Sequence, residues 1–461
     1  MKIECIGHTF ETAVRQIIQL FFSLKSDVYV KSAMLASVTE TVIKYDGREA
    51  RAVSFAPPEA SRTEQSDSVK RSCFEAAVKL SDMPAPWGIS TGIRPAKSIR
   101  ALHKQGLSYT EAKEAFARRY LADEEKALLA ARVAQKEDAL LNDMYPDGVS
   151  VYIGIPFCPT RCAYCSFISQ SAERSARFVE PYLAALAREI EAAARTIKRV
   201  GKRLETLYFG GGTPTVLSQE QLHVLFSLCE KMFDFSSLRE FTVEAGRPDT
   251  ICTAKLSELK AAGVNRISIN PQTMKQQTLD TIGRRHGVED VYNAFDIARA
   301  GGFDNINADI IVGLPNETEA DVSQTMSELL SLSPEAVTIH TMYLKRAAYL
   351  IDEFERYRFC EGTRLLMNAA VRALADYEPY YLYKQKNTLG NLENVGFAKE
   401  GCECRYNVYI MEEEQTILAL GAGASSKIVK DGLISRIYNP KDAREYILRI
   451  DDIVAQKEGI L

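Results

Sequence analysis

Between Val149 and Met342, six short β-rich runs alternate with amphipathic helical stretches, and this alternation constrains the fold more than any other feature. The runs are Val149–Ile155, Leu204–Phe209, Glu240–Ala245, Arg266–Ile269, Asn305–Val312 and Ala336–Thr341. Between the first two, Leu183, Leu186, Ile190 and Ile197 recur at helical spacing and share one face. Strands separated by helices pair in parallel through right-handed crossovers. The expected fold is α/β, a partial (β/α)6 TIM-like barrel with its working end at the carboxyl ends of the strands.

The flanks read differently. Residues 1–147 begin with a short strand (Lys2 to Ile6) and an apolar-periodic helix (Ala13 to Leu24). Alternating segments follow around Val28–Ser37 and Glu40–Phe55, the second carrying the turn signal Asp46-Gly47. Further helices include an Ala/Glu/Lys-rich stretch from Asp123 to Leu141. We expect an N-terminal α+β module with a helical connector over 1–147, a barrel over 148–345 and a C-terminal α+β region over 346–461. That region turns Tyr-rich (Tyr377, Tyr380, Tyr381, Tyr383) and later carries the turn Gly421-Ala-Gly423. Three parts suit 461 residues at roughly 150 per domain.

With 46% hydrophobic and 26% charged residues, the chain reads as a soluble globular protein rather than a disordered one. A net charge of −4 supplies no basic field, which argues against nucleic-acid binding. Met1 to Phe10 carries Lys2 and Glu4 and lacks an apolar leader, and the run Ile17–Leu24 is too short to span a bilayer. The expected location is the cytoplasm, with no membrane association. There thiols stay reduced, so clustered cysteines point to metal rather than disulfides.

Three of the ten cysteines cluster: Cys158, Cys162 and Cys165 follow the first strand directly, in Tyr152-Ile-Gly-Ile-Pro-Phe-Cys158 and the loop after it. A four-iron cubane has four corners, so three thiolates leave one iron open to chelate a substrate. Phe157 and Tyr164 would flank the cluster and limit water. Structural zinc takes four protein ligands, and no fourth Cys or His lies nearby in sequence. Gly210-Gly211-Gly212-Thr213-Pro214-Thr215 closes the second strand, where glycines permit close backbone approach to a polar ligand. It is not a P-loop, since no Gly-Lys-Ser/Thr follows. Glu244 ends the third run, Gln272 follows the fourth, Asp309 lies within the fifth, and Arg284 belongs to Gly283-Arg-Arg-His286. Neighbouring Arg285 and His286 are ambiguous.

The cysteine triplet resembles the signature of radical S-adenosylmethionine (SAM) enzymes. Its surroundings resemble oxygen-independent coproporphyrinogen III dehydrogenases, over about Val149 to Tyr343 and more weakly beyond. Trp87-Gly-Ile-Ser-Thr-Gly-Ile-Arg-Pro95 and the segment Pro379 to Asn387 are similar to the HemZ-type branch. The resemblance implies a 4Fe-4S cluster on Cys158, Cys162 and Cys165. It implies SAM contacts at Tyr152, Tyr164, Gly211, Gly212, Thr213, Glu244, Gln272, Arg284 and Asp309. It also implies a chemistry, in which one electron cleaves SAM to a radical that takes hydrogen from a propionate of coproporphyrinogen III. Carbon dioxide and one further electron then leave, giving a vinyl group, twice per substrate, in porphyrin and haem biosynthesis. The implied partners are a porphyrinogen substrate and a one-electron donor.

Four propionates call for cations, and Lys384, Lys386 and Arg405 are the candidates, against the reading of an edge strand with lysines facing water. Two positions depart from the best-characterised dehydrogenases: Phe167, where those enzymes carry a fourth cysteine, and Gly154, where they typically carry His. The Cys-x-Phe ending is more like haem-trafficking relatives, so a haem-binding chaperone is the alternative function. Cys402 and Cys404 read as ordinary thiols.

Overall fold

The computed structural model describes residues 1–23, 26–165, 170–343, 362–385 and 388–460. The chain divides into two compact units. The smaller comprises Met1–Gln135, Thr341–Met367 and Leu382–Asn394, and the larger Lys136–His340, Asn368–Tyr381 and Val395–Leu461.

The chain begins with β1 (Lys2–Ile6), α1 (Glu11–Phe21), β2 (Val28–Leu35), β3 (Val38–Tyr45), β4 (Arg48–Phe55) and α2 (Arg62–Val78). Then come α3 (Pro95–Lys104), α4 (Tyr109–Tyr120) and α5 (Glu124–Asn142). The four strands lie in sequence order, β1 parallel to β2 and the others antiparallel. Asp46 and Gly47 both have positive φ (49° and 69°), as a tight two-residue hairpin requires, and they close Tyr45 against Arg48. Val14, Ile17, Ile18 and Phe21 of α1 join Val69 and Cys73 of α2 over Val28, Val30 and Ile43 of the sheet. Helical spacing in the helices and period-two spacing in the strands thus meet in one core.

All six expected runs are strands. They are β5 (Gly148–Ile155), β8 (Arg203–Gly211), β9 (Glu240–Glu244), β10 (Arg266–Ser268), β11 (Ile306–Val312) and β12 (Ala336–Thr341). Two short strands, β6 (Phe157–Cys158) and β7 (Gln170–Ser171), follow β5. The helices between are α6 (Ala172–Arg199), α7 (Gln219–Met232), α8 (Thr253–Ala261), α9 (Gln276–Thr281), α10 (Val288–Ala300) and α11 (Glu319–Ser331). After β12 come α12 (Gly362–Arg372), β13 (Glu378–Lys384), β14 (Glu393–Ala398), α13 (Arg405–Glu412) and β15 (Thr416–Leu420). The chain closes with β16 (Ser425–Lys430), β17 (Leu433–Tyr438), α14 (Ala443–Leu448) and α15 (Ile450–Glu458).

The sheet order is β13-β14-β12-β11-β10-β9-β8-β5-β15-β16-β17, so the sheet is open and the barrel partial. Strands β5, β8, β9, β10 and β11 pair in parallel with their neighbours. Near-continuous burial along β5 and β8 is what a parallel sheet covered on both faces demands.

The C-terminal region expected over 346–461 is not a body of its own. Strand β15 pairs in parallel with β5, and β14 pairs antiparallel with β12, so both edges of the six-strand core are completed by C-terminal strands. Gly154 lies under this addition: a Cβ there would sit 3.3 Å from the Leu420 carbonyl oxygen of β15. Its own carbonyl accepts from the Tyr182 hydroxyl at 2.6 Å. No helix among the described residues is long and apolar enough to cross a membrane.

Candidate functional site

The cysteine loop leaves the carboxyl end of β5 and is laid directly on the glycine loop at the end of β8. The Gly212 and Thr213 amides donate to the carbonyls of Ile155 (2.7 Å) and Phe157 (2.8 Å). A Cβ on Gly212 would lie 2.4 Å from the Phe157 carbonyl oxygen, and Gly211 has a φ of +108°. Only glycine permits this approach and this backbone conformation. The Thr213 hydroxyl donates to Cys158 Sγ at 3.6 Å. The Cys165 amide donates to the Cys162 carbonyl (3.1 Å), and the Ala163 amide to Ile282 (3.0 Å), which fixes the loop against the end of α9. Arg247 Nη1 reaches Cys162 Sγ at 3.7 Å.

Beside the glycine loop stands an aromatic stack. Tyr208 and Tyr406 have ring centroids 4.5 Å apart, and Tyr152 lies 6.0 Å from each. The Tyr208 hydroxyl donates to Glu244 Oε1 at 2.6 Å, so a tyrosine holds this carboxyl. Burial pushes the Glu244 carboxyl up to about 7, and the nearby Asp309 charge adds to the rise. Asp309 behaves oppositely. Burial opposes its charge, but His340, Asn307 and Thr338 outweigh that and hold its carboxyl below the usual range. His340 Nε2 is 3.6 Å from Asp309 Oδ2, and Asn307 Nδ2 donates to Oδ1 at 2.8 Å. One carboxyl near neutrality and one firmly ionised therefore share the same end of the sheet.

Arg284 is buried. Its Nε and Nη2 donate to the Tyr164 hydroxyl (3.3 and 3.0 Å) and Nη1 to the Asn270 carbonyl at 2.6 Å. Gln272 adopts a left-handed φ of 70° and bridges to Ile310 of β11, placing its side chain in the same region. The Oδ1 of Asn270, the Oε1 of Gln272 and both ring nitrogens of His286 are buried without a hydrogen-bond partner. Buried polar atoms are ordinarily satisfied, so such a set beside a glycine cradle and three thiols fits a polar ligand together with a sulfur-ligated cluster. Among the described residues, no three His, Cys, Asp or Glu side chains converge on a single-ion position. A cubane, by contrast, takes its thiolates at separate corners.

The structure thus places Tyr152, Tyr164, Gly211, Gly212, Thr213, Glu244, Gln272, Arg284, Asp309 and the three cysteines at the carboxyl ends of β5 and β8–β11 in the larger unit. Two of the expected substrate cations, Lys384 and Arg405, are engaged with partners outside this set. Lys384 ends β13 in the smaller unit, buried, with Nζ donating to the Ser90 carbonyl (2.8 Å) and lying 5.2 Å from the centre of the Trp87 ring. It does not face water, and burial pushes its ammonium down to about 7. Arg405 lies at the opposite, amino end of the strands, its guanidinium on Asp143 (2.8 Å) and its amide on Glu240, the first residue of β9. Lys386 and Phe167 lie outside the described residues. Cys404 is a buried thiol bonded to Glu240 at 3.2 Å.

Sequence reasoning missed Tyr208, Tyr406, His340 and Arg247. Tyr208 and Arg247 carry a usable signal, since both flank motifs at strand ends. His340 carries the same signal, as the penultimate residue of the sixth expected strand, whereas Tyr406 enters only through packing.

The profile of the Radical SAM superfamily matches residues 152–329. The oxygen-independent coproporphyrinogen-III oxidase-like protein HemZ of Bacillus subtilis (strain 168) is 38% identical over 93% of this chain and 89% of its own length. The Heme chaperone HemW of the same organism is 34% identical over 67% of this chain and 76% of its own. Among solved structures, coproporphyrinogen III oxidase (HemN) from Escherichia coli, described as a radical SAM enzyme, has the same fold. It matches with a TM-score of 0.53 and 20% identity, over 69% of this chain and 72% of that one. The chain belongs to the radical SAM family, in the group that contains HemZ-type coproporphyrinogen-III oxidase-like proteins, and the cofactors of that family are a 4Fe-4S cluster and SAM.

Proposed function

We propose that the protein oxidatively decarboxylates propionate side chains of coproporphyrinogen III to vinyl groups, giving protoporphyrinogen IX in haem biosynthesis. The observation that carries this reading is the 38% identity along nearly the whole chain to a protein named as coproporphyrinogen-III oxidase-like. When bound, the cluster and SAM supply one-electron chemistry that generates a radical able to take hydrogen from an unactivated C–H bond.

The chain's own residues bind and orient. Cys158, Cys162 and Cys165 hold the cluster by three thiolates. The Gly212 and Thr213 amides are already committed to the cysteine loop, so this segment offers its carbonyls and the Thr213 oxygen as acceptors for an amino group. Arg284, fixed by Tyr164 and the Asn270 carbonyl, presents a cation to the carboxylate of SAM. Glu244 and Asp309 offer acceptors for ribose hydroxyls, Gln272 Oε1 a further polar contact, and Tyr152 an aromatic wall. Burial of Phe157 against Tyr182 keeps water from the loop's inner side. A one-electron donor and the reduced thiols suit the cytoplasm.

A second reading, a haem-binding or haem-trafficking chaperone, is favoured by the 34% identity to a Heme chaperone. One anaerobic experiment separates the two. Reduced protein with SAM and coproporphyrinogen III forms 5′-deoxyadenosine and vinyl product under the first reading. Stoichiometric haem binding without vinyl product refutes that reading and supports the second. Alanine at Cys158, Cys162 or Cys165 abolishes iron incorporation under both.

A further inference from the structure

Arg247 lies three residues beyond Glu244, just past the carboxyl end of β9, and is 3% exposed. Its guanidinium is clamped. Nε and Nη2 donate to the two carboxylate oxygens of Asp249, each at 3.0 Å. Nη1 donates to the Thr160 hydroxyl at 3.1 Å and reaches Cys162 Sγ at 3.7 Å. The backbone beneath is pinned as well. The amide and hydroxyl of Thr250 both donate to the Arg247 carbonyl (2.9 and 2.8 Å), and Thr250 meets Thr215 hydroxyl to hydroxyl at 2.6 Å. A bidentate carboxylate fixes a guanidinium plane, so the direction of the third nitrogen is set before any ligand arrives.

The environment of the thiols is therefore unequal. Cys158 faces the neutral hydroxyl of Thr213, while Cys162 faces a cation, with Arg284 also within electrostatic reach. Burial and the two arginines hold the His286 ring neutral, so it adds no charge to the pair.

We propose that Arg247 is a positioning residue that orients the Cys162 thiolate and raises the reduction potential of the cluster held there. This rests on the reading that the three cysteines bind the cluster. Reduction adds negative charge, which a cationic donor at a ligand sulfur stabilises more in the reduced than in the oxidised state. Asp249 offsets the long-range field of Arg247, so the effect reaches the cluster mainly through the directed N–H at Cys162.

The test uses full-length protein reconstituted anaerobically, with iron content and an EPR-monitored potentiometric titration as readouts. Arg247→Gln is expected to lower the midpoint so that the reduced-to-oxidised ratio at a fixed potential falls at least about tenfold, or about 59 mV for one electron. Poised at the wild-type midpoint, the reduced fraction then drops from half to about one in eleven. Arg247→Lys keeps the charge without the fork and is expected in between. Arg285→Gln removes the same charge from an exposed arginine next to Arg284 and is expected to leave the midpoint in place. An unchanged midpoint in Arg247→Gln with full iron content overturns the proposal, as does an equal shift in Arg285→Gln. If Arg247→Gln fails to hold iron, Arg247→Lys decides, with a lowered midpoint supporting the proposal and a wild-type midpoint overturning it. Wild-type protein that takes up no cluster refutes instead the cluster reading on which the proposal rests.

Discussion

Glu244→Gln separates the cost of burying a carboxyl from its use. In the folded protein, burial pushes the Glu244 carboxyl from 4.5 to about 7, so ionising it inside the fold costs about 3 kcal/mol. The side chain is not fully sealed from solvent, and screening reduces this to about 1–2 kcal/mol. The folded state holds this proton more tightly than the unfolded chain. Stability from this group therefore falls as pH rises from about 4.5 to about 7, and the loss persists above. Glutamine has the same shape, still accepts from the Tyr208 hydroxyl and carries no charge at any pH. At pH 8 the variant should be about 1–2 kcal/mol more stable than wild type, or about 1–3 °C in Tm for a chain of this size, and the gap should nearly close at pH 5. Thermal unfolding of metal-free protein at both pH values measures it. The same substitution should weaken SAM binding about 10–100-fold at pH 8, because a charge-assisted acceptor is lost. A stability gap independent of pH, or a variant less stable than wild type at pH 8, refutes the assignment of a burial cost to this carboxyl.

Two further substitutions probe the scaffold. Gly212→Ala drives a Cβ to 2.4 Å from the Phe157 carbonyl oxygen, so unfolding midpoints should show a loss of about 2–3 kcal/mol, with iron content per chain falling in parallel. Burial lowers Lys384 to about 7, so the unfolded chain holds that proton more tightly, and stability rises with pH between about 7 and 10.5. Lys384→Met should therefore be more stable than wild type at pH 7 by about 1–2 kcal/mol, and chemical denaturation should show the difference narrowing toward pH 10.

Part of the site is legible in the amino-acid sequence because its chemistry is local. The cysteine spacing, the Gly210–Gly212 run and the polar residues at strand ends are short-range patterns, and β-α alternation alone puts strand ends on one rim. The partners of those residues are not legible in this way. Glu244 is open to pairing with Arg247 three residues away, yet it bonds Tyr208, 36 positions earlier, while Arg247 turns to Asp249 and Cys162. Lys384 and Arg405 read as free cations because sequence does not reveal burial or ion pairing; Lys384 bonds the Ser90 carbonyl and Arg405 pairs with Asp143.

The sequence by itself determined the parallel sheet, the end of it where the motif loops gather, and the spacing of the three thiols, because periodicity and motif spacing act within a few residues along the chain. Tertiary structure decided which strands complete the sheet. It joined β15 to β5 and β14 to β12, and so removed the separate C-terminal region that linear order suggested. It also decided the electrostatics, raising Glu244 while holding Asp309 low and setting a cation against Cys162. Hydrogen-bond partners and desolvation are properties of the surrounding volume, which is filled by residues drawn from the whole length of the chain.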